Sequence, residues 1–179
     1  MQLLILGLNH RTAPVDVREW VSFSREELRS GLLSLGEYDG LSGLVVLSTC
    51  NRTELYAVAD DYEQGMKALR QFLNDLAQGG DDLDEYLYTY VDDAVIRHLF
   101  RVASSLDSLV LGEGQILSQV KEAYAIAREA GTTSTVLNLL FHRAIATGKR
   151  VRTETRIAHR SVSVSYAAVE LAAASLGGL

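Results

Sequence analysis

Short apolar runs separated by polar turns predict four β-strands in the first half of the chain. Residues 2–9 are aliphatic and end in polar side chains, which is typical of a buried strand. Residues 44–47 and 55–59 predict two more strands, with residues 48–54 as the polar turn between them. Aromatic residues at 86–91 predict a fourth strand.

Two helices are predicted between these strands. Ser24 precedes Glu27 by three residues, as in a capping box, and leucines then recur at helical spacing up to Gly36. Residues 62–77 carry an apolar face of the same period. The resulting βαββαβ order predicts a ferredoxin-like sheet with helices on one side.

The pattern after residue 91 is helical. Asp92-Asp93 opens one helix, and others are predicted at about 115–130, 134–155 and 162–176. We therefore expect an α+β fold in which a ferredoxin-like subdomain packs beside a helical-bundle subdomain.

The expected subdomain bounds follow from this change of pattern. Residues 1–91 form the ferredoxin-like part, which carries the candidate nucleophile, and residues 92–160 form the helical part. Residues 161–179 are interpreted as the start of a long connecting helix. Because this helix ends in Gly177-Gly178-Leu179, we expect a further domain to follow in the complete protein.

Composition favours a folded cytoplasmic protein. The chain has 179 residues, 47% of them hydrophobic, which is enough to bury a core. The N-terminus lacks the basic segment of a signal peptide, and no apolar run approaches the roughly 20 residues of a membrane span. With one cysteine and four histidines that lack ligand spacing, we expect neither a disulfide nor a metal site.

The net charge of −6 argues against general nucleic-acid binding, because such binding depends on clustered Lys and Arg. One stretch is an exception, since residues 149–160 hold five Lys or Arg and one Glu. This stretch is interpreted either as a solvated helix face or as a local nucleic-acid contact.

Residues 48–56 hold the candidate nucleophile, Cys50, within a run of short polar side chains. Cysteine is usually buried and inert, but a turn gives access to the thiol. A nearby cation such as Arg52 would stabilise its thiolate. His98 and His10 are candidate proton carriers, and spacing alone does not choose between them.

A second polar stretch, residues 108–119, surrounds Gly112-Glu113-Gly114 at a turn that opens a helix. Two glycines at this spacing resemble half of a dinucleotide fingerprint. The third glycine, the strand-to-strand crossover and the acidic ribose anchor are all missing, so we predict no nucleotide site in this chain.

Four motifs resemble those of glutamyl-tRNA reductase, in the family's order and spacing and over essentially the whole chain. They are Asn9-His10-Arg11-Thr12-Ala13-Pro14-Val15, Ser48-Thr49-Cys50-Asn51-Arg52-Thr53-Glu54, Leu106-Asp107-Ser108 with Leu111-Gly112-Glu113-Gly114-Gln115-Ile116-Leu117, and Lys149-Arg150-Val151-Arg152-Thr153-Glu154-Thr155.

The resemblance implies an activity that needs more than this chain. Cys50 would attack the ester carbonyl of glutamyl-tRNA(Glu) and form a glutamyl thioester, and NADPH would reduce that thioester to glutamate-1-semialdehyde for tetrapyrrole biosynthesis. The NADPH domain would follow the connecting helix and is absent here. This chain alone is expected to form the thioester and to act only as an esterase.

The resemblance also implies a set of site residues. Cys50 and His98 would be catalytic. Substrate contacts would come from Thr49, Asn51, Arg52, Ser108, Glu113, Gly114, Gln115 and Gln119. Arg52 would pair with the glutamate carboxylate or with the thiolate, and Glu113 with the α-ammonium. Many family members carry Pro or Thr at the position of Gly114. Because glycine has no side chain, only a backbone contact to the substrate would remain here.

Two other functions stay open at this point. One is a stand-alone cysteine hydrolase or acyltransferase, and the other is a noncatalytic tRNA-binding or regulatory module. The resemblance further implies a homodimer for the full-length protein, a monomer for this chain, and a downstream aminomutase as a partner that receives the semialdehyde.

Overall fold

The computed structural model describes residues 1–79 and 83–157, which form one sheet and six α-helices. The strands are β1 (Gln2–Asn9), β2 (Leu41–Thr49), β3 (Arg52–Ala59) and β4 (Tyr88–Val91). The helices are α1 (Val15–Trp20), α2 (Arg25–Leu33), α3 (Tyr62–Leu76), α4 (Asp93–Ala103), α5 (Gln115–Ala130) and α6 (Thr135–Glu154).

The sheet has the strand order β2-β3-β1-β4, and every neighbouring pair is antiparallel. This is the arrangement of a ferredoxin-like βαββαβ unit, so the predicted α+β fold is confirmed. The capping box is also present, because Ser24 Oγ accepts the Glu27 backbone N–H and the Glu27 carboxylate accepts the Ser24 N–H.

The hairpin between β2 and β3 is much tighter than the predicted polar turn at 48–54. Thr49 pairs with Arg52 and Ser48 pairs with Thr53, so only Cys50 and Asn51 lie between the strands. The prediction of a wide turn was wrong because Arg52 and Glu54 are buried strand residues with polar side chains. A hydrophobicity pattern cannot separate such residues from a loop.

Helices cover both faces of the sheet. On one face α3 packs closely at Gly65, where an added Cβ would lie 2.5 Å from the Ala59 Cβ. On the other face Tyr56 of β3 meets Phe141 of α6 with ring centroids 5.4 Å apart. All eight residues of β3 are therefore buried, including the charged ones.

One hydrophobic core cluster joins the sheet to α4, α5 and α6. The helical half is thus packed on the sheet, as expected, while the subdomain bounds at 91 and 160 stay predictions. The predicted helix at 162–176 lies outside the described residues. Helix α1 was not predicted, because its six residues include no buried side chain and show no apolar period.

Candidate active site

Cys50 lies at the tip of the β2–β3 hairpin, and its free thiol is exposed. The Thr49 hydroxyl accepts the backbone N–H groups of Asn51 and Arg52, each at 3.2 Å. Arg18 of α1 donates from Nη1 to the Cys50 carbonyl oxygen at 2.8 Å. The loop is therefore held from both sides, while the thiol itself remains accessible to a substrate.

A small cleft opens beside Cys50 and brings most of the predicted site residues together. Its walls include Thr49, Cys50, Asn51, Arg52, Ser108, Glu113 and Gln119, with the apolar Leu109 and Ile116. These residues come from the hairpin, from the segment before α5, and from α5 itself. Stretches almost 60 residues apart in sequence thus share one cleft.

The Ser108 hydroxyl is buried in this arrangement and has no hydrogen-bond partner among the described residues. Buried polar groups are nearly always paired, so an unpaired hydroxyl in a cleft wall is suited to a ligand. The Glu113 carboxylate also has no hydrogen-bond partner among the described residues, while the Glu113 backbone carbonyl accepts the Ser105 hydroxyl at 2.7 Å.

Three predicted site residues do not line the cleft: Gly114, Gln115 and His98. The Gly114 carbonyl accepts a hydrogen bond from Arg152 Nη1 at 2.9 Å, and Gln115 is the exposed first residue of α5. Gly112 adopts a left-handed φ of +82°, and an added Cβ would lie 2.2 Å from the Ile157 carbonyl oxygen. The turn at residues 112–114 therefore packs against Arg152 of α6 and against Ile157.

Arg52 forms a buried charge network behind the cleft. Its side chain is 1% exposed, and Nη1 donates to Glu54 Oε1 at 2.6 Å. Both Nη atoms also contact Asp107, through a carboxylate oxygen at 3.3–3.4 Å and through the backbone carbonyl. The guanidinium is thus held between two carboxylates before any substrate arrives.

Glu54 collects donors from four side chains: Arg52, Tyr56, Tyr88 and His98. Burial alone would raise the pKa of Glu54, but the charge of Arg52 and the hydrogen bond from His98 hold that pKa far below its usual range. Burial, followed by the nearby Glu54 charge, raises the pKa values of Tyr56 and Tyr88. The network therefore holds an ionised carboxylate inside the protein.

His98 belongs to this network and is not in the cleft wall. Its Nε2 lies 2.8 Å from Glu54 Oε1, and its ring packs against Tyr88 and Tyr90 with centroids 5.8 and 4.9 Å apart. Because an ionised carboxylate only accepts hydrogen bonds, we assign Nε2 as the protonated nitrogen. His98 is connected to the cleft through Glu54 and Arg52.

His10 lies close to the hairpin tip, and its backbone N–H donates to the Asn51 carbonyl oxygen at 3.0 Å. Its Nδ1 is buried without a partner among the described residues. Burial and the charges of Arg52 and Arg11 lower the pKa of this imidazole, which favours the neutral form.

Sequence reasoning missed three residues that shape the site: Arg18, Glu54 and Asp107. Glu54 offers a signal in its spacing, because residues two apart on a strand share a face and an Arg-x-Glu pair matches in charge. Asp107 directly precedes the predicted Ser108. Arg18 offers no signal, since its contact with Cys50 spans 32 positions.

Two basic side chains near the end of α6 are engaged within the protein, one of them by a carboxylate. Arg150 pairs with Glu154 at 3.0 Å, and Arg152 is bonded to the Gly114 carbonyl. Over residues 1–79 and 83–157 there is no cluster of three or more potential metal ligands. Within the same ranges, no helix combines the length and the apolar character that crossing a membrane requires.

Comparisons with known proteins identify the family of this chain. A family model described as the N-terminal domain of glutamyl-tRNAGlu reductase matches residues 6–155. Glutamyl-tRNA reductases of Moorella thermoacetica and Pelotomaculum thermopropionicum are 55% and 51% identical, over 96% and 100% of this chain and 39% and 40% of those proteins. The chain therefore spans about two fifths of their length.

A solved structure has the same fold as this chain. Glutamyl-tRNA reductase from Methanopyrus kandleri aligns with a TM-score of 0.72 and 41% identity, over 96% of this chain and 39% of that one. Because the family model covers most of the chain and the relatives match it nearly end to end, the chain belongs to the glutamyl-tRNA reductase family and corresponds to its N-terminal domain.

Proposed function

We propose that this chain carries the thioester-forming site of a glutamyl-tRNA reductase. The Cys50 sulfur attacks the ester carbonyl of glutamyl-tRNA(Glu), the new S–C bond replaces the C–O bond, and the thiol proton passes to the leaving ribose oxygen of the tRNA. The observation that carries this proposal is the cleft that gathers seven of the ten predicted site residues around an exposed thiol.

Substrate binding is assigned to the polar walls of the cleft. Thr49, Asn51, Ser108 and Gln119 offer hydroxyl and amide groups, and Glu113 offers a carboxylate for the α-ammonium of the glutamyl group. The unpaired Ser108 hydroxyl supports this assignment. Gly114 and Gln115 lie next to the cleft and would contribute backbone contacts at the start of α5.

If Arg52 binds the glutamate carboxylate, it has to give up or share a contact that it makes within the protein. Both of its Nη atoms already contact Glu54 or Asp107, so the substrate carboxylate has to replace Asp107 or share the guanidinium with it. His98 acts through the same network, since it shares the Glu54 carboxylate with Arg52.

The described residues do not fit NADPH. The sheet is antiparallel throughout, so it lacks the parallel crossover of a dinucleotide fold, and the Gly112 turn is filled by Ile157 and Arg152. No hydride step is therefore assigned to these residues. In the full-length family, the NADPH site would belong to the three fifths of the relatives that this chain does not span.

The test is the intact mass of the chain after mixing with glutamyl-tRNA(Glu) and rapid acid quench, with Cys50→Ala as the control. We expect a glutamyl adduct on the wild-type chain and none on Cys50→Ala. If both proteins bind the tRNA equally, and that binding weakens steeply with salt while no adduct forms, the chain is a noncatalytic tRNA-binding module.

A further inference from the structure

Arg18 ties the hairpin tip to a different part of the chain. Its Nη1 donates to the Cys50 carbonyl oxygen at 2.8 Å and to Asn51 Oδ1 at 3.1 Å, while Nε donates to the Ala13 carbonyl oxygen at 3.2 Å. One guanidinium thus bonds to both residues of a two-residue loop. Among the described residues, no other side chain bonds to the backbone of Cys50.

The hydrogen bond from Arg18 to the Cys50 carbonyl matters because it acts on the backbone that carries the thiol. The Cys50 side chain is exposed, so packing does not hold it in place. The peptide that follows Cys50 is held at both ends, because the Thr49 hydroxyl accepts its N–H, that of Asn51, at 3.2 Å, and Arg18 donates to its carbonyl oxygen at 2.8 Å. Among the described residues, Arg18 is the side chain that holds the carbonyl end, so the orientation of this peptide depends on Arg18 together with Thr49.

We propose that Arg18 is a positioning residue for acyl transfer, which it serves by fixing the Cys50 peptide and with it the approach of Sγ to the ester carbon. This inference rests on the proposed thioester function. A misplacement of about 1 Å at a reacting group can lower a rate by roughly 100-fold. Arginine suits the task because its planar fork makes several hydrogen bonds in a fixed geometry, which lysine does not.

Helix α1 is anchored independently of Arg18. Trp20 Nε1 donates to the Ala77 carbonyl oxygen at 3.2 Å, and the fully buried Val21 accepts the Thr53 hydroxyl at its carbonyl at 2.7 Å. Removal of the Arg18 side chain should therefore leave the helix in place and free the Cys50 carbonyl and the Asn51 side chain at the hairpin tip. This separation makes the role testable without unfolding the protein.

The experiment uses the 179-residue chain as wild type, Arg18→Ala, Arg18→Lys and Arg97→Ala. Arg97 is a matched control, because its side chain is 79% exposed and its only ion pair among the described residues is with Asp93. Four quantities are measured: the single-turnover rate of glutamyl-adduct formation at saturating glutamyl-tRNA, the tRNA dissociation constant, the rate of Cys50 alkylation by iodoacetamide, and the unfolding temperature.

We expect Arg18→Ala to lower the saturating adduct rate by about 100-fold. The dissociation constant and unfolding temperature should stay at the wild-type values, and alkylation should change far less than acyl transfer. Arg18→Lys should recover only part of the rate, and Arg97→Ala should match the wild type. Alkylation distinguishes positioning from a general loss of structure because a small alkylating agent needs no fixed approach.

Two results would overturn the role of Arg18 while leaving the proposed function intact. One is a wild-type adduct rate in Arg18→Ala, and the other is a loss of acyl transfer that alkylation and unfolding temperature follow in parallel. A wild-type chain that forms no adduct contradicts the proposed function itself, and the positioning role with it.

Discussion

Replacement of Glu54 by Gln tests whether the buried network is held by charge. Glu54 is 0% exposed and pairs at 2.6 Å with Arg52, whose side chain is 1% exposed. Glu54→Gln keeps the size of the side chain but removes its charge and turns one acceptor oxygen into an amide donor. Arg52, Tyr56, Tyr88 and His98 would then compete for a single acceptor.

The magnitude follows from burial. Removal of one partner of a buried ion pair costs about 3–5 kcal/mol, because the other charge stays buried. Asp107 still faces Arg52 in this variant, with a carboxylate oxygen 3.3 Å from Nη2, which places the cost near the lower end. With a urea m-value of about 2 kcal/mol/M, a loss of about 3 kcal/mol lowers the unfolding midpoint by roughly 1.5 M.

The pH dependence gives a second test of the same pair. Burial opposes ionisation of Glu54, but Arg52 and His98 hold its folded-state pKa below the unfolded value of about 4.3. A depressed folded pKa contributes stability above the unfolded pKa, and this contribution is lost as the pH falls toward the folded pKa. The stability gap between wild type and Glu54→Gln should therefore be full at pH 7 and shrink below pH about 4.

The assay is urea unfolding followed by circular dichroism at several pH values. Glu122→Gln is the control, because Glu122 lies in an exposed ion pair with Arg25 and its loss should leave the midpoint unchanged. If Glu54→Gln unfolds at the wild-type midpoint at pH 7, or if the gap widens toward acid, the network is not held by the Glu54 charge and our account of it is wrong.

Three further predictions concern the cleft. Without a reductant the thioester should hydrolyse slowly, so wild type should release glutamate from glutamyl-tRNA in a discharge assay; a full esterase rate in Cys50→Ser would contradict this. His98→Asn should remain folded by circular dichroism but slow single-turnover adduct formation, and unchanged kinetics would remove His98 from the mechanism. Gly112→Ala should lower the unfolding temperature, because it needs a left-handed φ of +82° and meets the Ile157 carbonyl at 2.2 Å, whereas Gly36→Ala, with no atom within 4 Å of the new Cβ, serves as the control.

Much of the fold follows from local signals. Helix α5 begins and ends at the predicted residues, 115 and 130, because glycines flank its apolar period. The first strand has its predicted bounds, and the capping box at Ser24 formed as expected. These features depend on neighbours within a few positions, so the sequence contains the information directly.

The site was predictable only in part. The motifs indicated residues at the hairpin and before α5, and the structure places seven of them at one cleft. Their individual roles stay predictions. Sequence reasoning expected Arg52 to face the substrate, whereas its side chain is 1% exposed between Glu54 and Asp107. The Arg-x-Glu spacing signals the contact with Glu54, whereas no local pattern signals the contact with Asp107, 55 positions away.

By itself, the sequence determined the four strands, five of the six described helices and the family, and it indicated Cys50 as the candidate nucleophile. The tertiary structure alone decided which charges are buried, that His98 reaches Glu54 across 44 positions, and that Arg18 holds the Cys50 peptide across 32. The reason is physical: periodicity and capping act within a few residues, whereas the burial and pairing of a charge depend on atoms that come together only when sheet and helices pack.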